Sequence, residues 1–136
     1  MGVHLFWVTD SALCRLAEIN AAEGAHGATA TLVDRMAALP EYAFYFDPKE
    51  GVEGAATFGE VAAAYQSVGR LKEASRFRQL AAGRAEQLGI ARAHRAELGR
   101  AIRLERARGR GKAAVALFKA ARAAAGWRTR FQTPEL

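Results

Sequence analysis

The chain has 136 residues, enough for one compact domain, and 51% of them are apolar, which excludes a wholly disordered chain. Ala accounts for 32 residues; it is the strongest helix former and buries little area, so closely approaching helices are expected and a sheet protein is not. The net charge of +6 conceals a gradient, with four Lys/Arg against nine Asp/Glu in residues 1–70 and sixteen against five in residues 71–136, a separation that suggests a basic surface for an acidic partner.

At the N-terminus, Val3–Val8 is apolar but too short to span a bilayer, and no basic residue precedes it, so it reads as neither a membrane helix nor a signal peptide. Met1-Gly2 begins like a myristoylation signal, but Phe6 stands where that signal requires Ser or Thr. The single cysteine, Cys14, has no companion for a disulfide or a metal, so a reducing compartment is the simpler assumption and the expected location is cytoplasmic. Thr9 or Asp10 can cap a first helix whose apolar positions are Leu13, Leu16, Ala17 and Ile19. After the link Gly24–Gly27, a second helix carries Leu32, Val33, Met36 and Leu39, with Thr31 as its expected cap and Pro40 at its end.

Helical spacing fails from Glu41 to Ala56, where Pro48, Gly51 and Gly54 interrupt it. The segment EYAFYFDP alternates Tyr42, Phe44 and Phe46 with Ala43 and Tyr45, so a short extended stretch is expected. Two roles remain open for it: a core plug that compensates for the small Ala side chains, or an exposed aromatic anchor for a partner formed by Tyr42, Phe44, Tyr45 and Phe46.

Thr57-Phe-Gly-Glu60 has the form of a capping box and should start a helix lined by Phe58, Val61, Ala62, Tyr65 and Val68. Gly69 stops it, and Leu71, Ala74, Phe77, Ala81, Ala85 and Leu88 line the next, antiparallel helix. Gly83 lies inside that helix at a cost of about 1 kcal/mol relative to Ala, which a close backbone approach would explain. Tyr65, Gly69, Ala74, Phe77 and Ala81, echoed by Gly109, Ala114, Phe118 and Ala121, resemble the tetratricopeptide pattern of aromatic, turn glycine and small residues. Phe77 stands one residue early, the closing Pro is missing, and Glu105 replaces the second tyrosine. The resemblance covers roughly residues 57–126 and implies stacked helical hairpins that bind peptides or protein segments.

The most basic elements come last. On a helix from Ile90 to about Ala107, the apolar face takes Ile90, His94, Leu98, Ala101 and Ile102, while Arg92, Arg95, Arg103 and Arg106 fall within about 80° of one another elsewhere. The sixth helix adds Lys112, Lys119 and Arg122 opposite a packing set of Ala114, Leu117, Phe118 and Ala121. The link Arg108-Gly-Arg110-Gly-Lys112 resembles the core of a minor-groove hook but lacks its prolines. It is no phosphate loop, because Ala113 follows the Lys and no glycine stands at the required distance upstream. His94 and Glu97 could share a face as metal ligands, but two ligands without others do not make a site. With no recognisable nucleophile, acid–base pair or cofactor motif, the chain is read as non-enzymatic, with no catalytic residue, metal or cofactor.

The expected architecture is therefore all-α: three antiparallel hairpins, with residues 1–40 as the first, 41–56 as an aromatic insertion, 57–126 as two tetratricopeptide-like hairpins and 127–136 as a tail partly folded back through Trp127 and Phe131. The expected function is a protein–protein interaction module that meets an acidic protein or peptide through Arg92, Arg95, Arg103, Arg106, Arg108, Arg110, Lys112, Lys119 and Arg122. Two alternatives stand beside it: nucleic-acid binding through the arginine stripe, and self-assembly of the acidic half of one copy on the basic half of the next. A membrane partner is not expected.

Overall fold

In a computed structural model of the chain, residues 13, 15–48 and 58–132 are described, apart from the side chains of Phe44 and of residues 124–132. Among the described residues the chain is all-helical, with no strand. Its elements are α1 over residues 15–22, α2 His26–Ala37, a 3-10 helix Pro40–Phe46, α3 Phe58–Ser67, α4 Leu71–Gln87, α5 Ala91–Ala107 and α6 Gly111–Gln132. From α2 onward each α-helix packs chiefly on the next in sequence. No helix of the described residues is long and apolar enough to cross a membrane.

One turn makes most of these connections. Gly69, Gly89 and Gly109 recur every 20 residues, each with φ between +73° and +82°. This left-handed conformation admits glycine at no steric cost. The residue after each glycine sends its N–H back to the helix just ended: Arg70 to the Tyr65 carbonyl at 2.9 Å, Ile90 to Ala85 at 2.9 Å and Arg110 to Glu105 at 2.8 Å. Its own carbonyl then accepts the first bond of the following helix, from Ala74, His94 and Ala114 respectively. A helix end and a helix start are thereby satisfied through one linking residue, without any side-chain cap at Arg70 or Ile90. Gly24 makes the same turn between α1 and α2, with Ala25 bonded back to Asn20 at 2.9 Å.

Across α4 and α5, Ala82 meets His94 and Arg78 meets Glu97, so steps back from Gly89 on one helix are matched by steps forward on the other. The pair is therefore antiparallel. Equal spacing also aligns the helices by distance from their glycines. Ala74, His94 and Ala114 are equivalent and all buried, whereas Phe77, Glu97 and Leu117 share the next inward position.

The large core residues gather at one end of this series. Tyr42, Tyr45, Tyr65, Phe77, Met36, Val33 and Val61 are all essentially inaccessible. Phe77 stacks on Tyr65 at 5.5 Å and meets Phe46 and Phe58 at 5.8 and 6.0 Å. The segment expected to be extended is instead the 3-10 helix, which turns Tyr42 and Tyr45 into the core and leaves Phe46 half-buried. These aromatics supply the bulk that Ala74, Ala62 and Ala82 cannot. Its continuation explains Gly83, since a Cβ there would stand 3.1 Å from the Cβ of Pro48.

Several expected details differ. Thr31 does not cap α2, which begins at His26; its hydroxyl donates to the Gly27 carbonyl one turn back, at 3.0 Å. Leu13 and Ala17 face the core, but Leu16 and Ile19 do not. Val68, Leu88 and Ile90 flank the turn glycines and are exposed, because the short turn carries them past the helix–helix contact. Phe118 is exposed as well: it sits one residue, hence about 100°, beyond the position of Phe77, and Leu117 takes the inward place. The backbone of α6 runs through Gln132, so residues 127–132 continue the helix and do not form a folded-back tail. Thr9, Asp10, Cys14 and Thr57 lie outside the described residues.

Candidate basic interaction surface

The charged groups of the C-terminal half divide into those spent inside the fold and those left outside. Arg78 and Glu97, with side chains 13% and 11% exposed, pair at 3.2 Å between α4 and α5. Gly59 of α3 makes room for them, since a Cβ there would stand 3.0 Å from Glu97 Oε2. Arg100 donates to the same carboxylate, to Glu97 Oε1 at 2.6 Å. In α5, Glu105 occupies the turn position that Tyr65 holds in α3, is buried, and accepts from Arg108 at 2.7 Å. His94 is buried too, its Nδ1 lying 2.9 Å from the Ala82 carbonyl and its Nε2 4.0 Å from Glu86. This assignment uses His94 and Glu97 structurally, and among the described residues no group of three or more His, Cys, Asp or Glu is placed to hold a metal ion.

A second charged cluster ties α2, α3 and α4 together. Asp34 accepts both guanidinium nitrogens of Arg70 and, at 2.7 Å, the Tyr65 hydroxyl; Arg70 also reaches Glu73 at 3.3 Å and lies over the Tyr65 ring. Burial works against ionisation of Asp34, but the hydrogen bonds from Arg70 and Tyr65 and the Arg70 charge outweigh it and hold the carboxyl below its ordinary value. Burial likewise opposes ionisation of Glu73, and the Arg70 hydrogen bond, a bond to its own backbone and the Arg70 charge bring it below its ordinary value. Burial, then the Asp34 hydrogen bond and charge, push the Tyr65 hydroxyl well up. This is a clasp between helices.

With Glu73, Glu97 and Glu105 committed to Arg70, Arg78, Arg100 and Arg108, few acids remain beside the outer basic residues. Arg92, Arg95, Arg103 and Arg106 are all exposed on the face of α5 opposite His94, Leu98 and Ala101, and pair with no acid among the described residues. They extend over about 21 Å of helix. Arg110, Lys112, Lys119 and Arg122 are exposed around the start and middle of α6. Arg108 is the exception, turned in on Glu105 with its side chain 19% exposed. The Arg108–Lys112 link is no extended hook, because Gly109 bends it back and Gly111 already begins α6.

Of the two roles left open for the aromatic segment, Tyr42 and Tyr45 take the core role and not that of an exposed anchor. Tyr42 and Tyr45 are core residues, Phe46 is half-buried under the Arg76 guanidinium at 5.3 Å, and the Phe44 side chain lies outside the described residues. Burial of Tyr42 and Tyr45 follows from the 3-10 conformation, whose side chains lie three residues apart on one face.

Comparison of the chain with protein-family models, curated proteins and solved structures finds no match.

Proposed function

We propose that this chain is a non-enzymatic interaction module of tetratricopeptide-like helical hairpins, which binds an acidic protein segment through the outer face of α5. The observation that supports this most is the set of four arginines, Arg92, Arg95, Arg103 and Arg106, exposed in one row and without acidic partners among the described residues. Four uncompensated guanidiniums on one rigid helix repel one another, and an acidic ligand relieves that repulsion while accepting paired N–H donors. The buried Arg78–Glu97 and Glu105–Arg108 pairs fix the helix from behind, so the row is held in place before a partner arrives.

The row also suits a phosphate backbone, because Gly99 lies within the face of α5 that carries it and Ala96 at its edge, so the face offers charge without large apolar anchors. The two readings part in one experiment. Binding of a Glu/Asp-rich peptide, a random duplex and a random single strand is measured across a salt series, for the wild type and for Arg103→Gln with Arg106→Gln. Tight peptide binding that weakens about tenfold in the double variant, with the nucleic acids bound more weakly, supports the protein module. Preference for duplex, with a slope of log K on log salt of about −0.9 for each phosphate neutralised and flatter by about two in the variant, supports nucleic-acid binding. Failure of all three ligands to bind at low salt ends both readings.

A further inference from the structure

Gly83 and Gly99 lie deep within α4 and α5, and packing inside the chain accounts only for the first. At Gly83 a Cβ would press on Pro48, whereas at Gly99 it would meet nothing within 4 Å among the described residues. Glycine in mid-helix costs stability relative to Ala, and no turn requires it here, because Gly99 is the midpoint of the continuous helix Ala91–Ala107. It stands on the outer face. Arg95 and Arg103 lie four residues before and after it, and Arg92 and Arg106 lie seven before and after it, all four of them exposed. The arginine row is therefore symmetric about a missing side chain.

We infer that the acidic partner of this row is itself an α-helix, laid along α5 with a large apolar side chain over Gly99 and Asp or Glu opposite the arginine pair on each side. The inference rests on the acid-binding reading above and adds the form of the ligand. Alternating steps of three and four residues keep a row of side chains facing one neighbouring helix. Along α5 the arginines stand about 6 and 10.5 Å from Gly99 in each direction, and a second helix reproduces that spacing with its own residues four and seven from a centre. An extended chain does not. Its side chains recur on one face every 6.7 Å or so, roughly in step with the inner arginines but past the outer ones. The gap at Gly99 lets the partner helix approach closely, and its apolar side chain packs on the bare backbone between the aliphatic stems of Arg95 and Arg103. A phosphate backbone gives no reason for the gap, since a fifth cation at that place would add a contact.

The experiment is fluorescence anisotropy of the full-length chain at low salt with two labelled peptides of one composition and a random DNA duplex. The first peptide is an Ala- and Gln-rich helix carrying Glu four and seven residues on each side of a central Leu; the second permutes the same residues so that the Glu fall all around the helix. The first should bind about tenfold more tightly than the second. Gly99→Leu keeps all four arginines and introduces a better helix former, and circular dichroism checks that it is folded. This variant should bind the first peptide about tenfold more weakly than the wild type does, and the second peptide and the duplex within about twofold. Replacing the central Leu of the first peptide by Ala should restore most of the variant's loss, because the two large groups no longer collide. Equal binding of the two peptides by the wild type overturns the inference and leaves acid binding in place. A folded Gly99→Leu that binds the first peptide like the wild type does the same. Binding of neither peptide overturns the inference together with the reading on which it rests, and a duplex bound more tightly than both peptides assigns the row to nucleic acid instead.

Discussion

The two halves of the molecule solve helix packing differently. Around α2, α3 and the start of α4, Tyr42, Tyr45, Phe58, Tyr65 and Phe77 fill the space between helices with rings in edge and stacked contact. Between α4 and α5 the contact is made of Ala82, Ala85, Leu98 and Ala101, with Arg78–Glu97 and His94 buried among them. The same glycine turn, at Gly69 and at Gly89, serves both halves, so the turn does not dictate what fills the contact. Apolar bulk concentrates stability in the first half, whereas the second half depends on satisfied charges and leaves its remaining arginines outward.

The largest expected difference between the halves is at positions that look alike in the sequence. Phe77→Ala removes a ring that meets three other aromatics and should cost about 3–5 kcal/mol. Phe118→Ala, at the exposed counterpart in α6, should cost about 0.5 kcal/mol or less. Urea denaturation at low protein concentration measures both, and Phe77→Leu keeps a folded baseline if the Ala variant does not fold. Equal losses at Phe77 and Phe118 would mean that α6 buries its aromatic and that the two halves are packed alike.

A smaller effect is expected from the charged contact. Glu97→Ala leaves the buried Arg78 charge without its partner and should cost about 3 kcal/mol, and Arg78→Ala, which leaves Glu97 with Arg100 alone, should cost somewhat less. Arg100→Ala removes only the exposed arm of the same cluster and should cost less than about 1 kcal/mol. Arg78→Met with Glu97→Leu should recover most of the loss, since buried pairs are often replaceable by apolar groups of similar volume. Additive losses in the cycle of Arg78→Ala, Glu97→Ala and the variant with both changes would show that the two side chains do not act as a pair.

These differences also mark how far the sequence could be read. Helix type and the turn at Gly69 follow from Ala content, the spacing of Val61, Ala62 and Tyr65, and one glycine; these are local properties, and the structure agrees with them. The face of α5 is equally legible, because the periodicity that buries Leu98 and Ala101 is the one that exposes Arg92 and Arg103. The burial of Phe118 and the extended form of the segment around Tyr45 are misread for a common reason. Whether an aromatic is covered depends on the neighbouring element, and a one-residue offset on a helix, or a 3-10 turn in place of a strand, moves it to another face. Arg78 and Glu97 lie 19 residues apart, and nothing in their local spacing announces the pair. Gly59 and Gly83 were the available signals of close approach, although only Gly83 stands out as a glycine deep within a helix.

The clasp at Asp34 joins α2, α3 and α4 and gives the aromatic half a charged component of its own, which acid should expose. The Asp34 and Glu73 carboxyls are both held below their ordinary values, so the folded state favours their ionised forms more than the unfolded state does. Their contribution is complete above the unfolded values, at about pH 5 and higher, and is lost as pH falls through about 4 and below, because the unfolded chain takes up protons first. Arg70 remains charged throughout that window, so protonation breaks the clasp by removing the acceptor. Asp34 and Arg70 are each about 40% exposed, so water and salt screen the pair, and the effect should be the smallest of the three. The denaturation midpoint of the wild type should fall between pH 5 and pH 3, with a slope that added salt reduces. Asp34→Asn keeps the size of the side chain and can still accept from the Tyr65 hydroxyl, so it should be less stable than the wild type at pH 7 and converge with it near pH 3. Parallel pH profiles for the two proteins would show that Asp34 titrates alike in the folded and unfolded chain, and that the aromatic contacts alone hold α2 against α3 and α4.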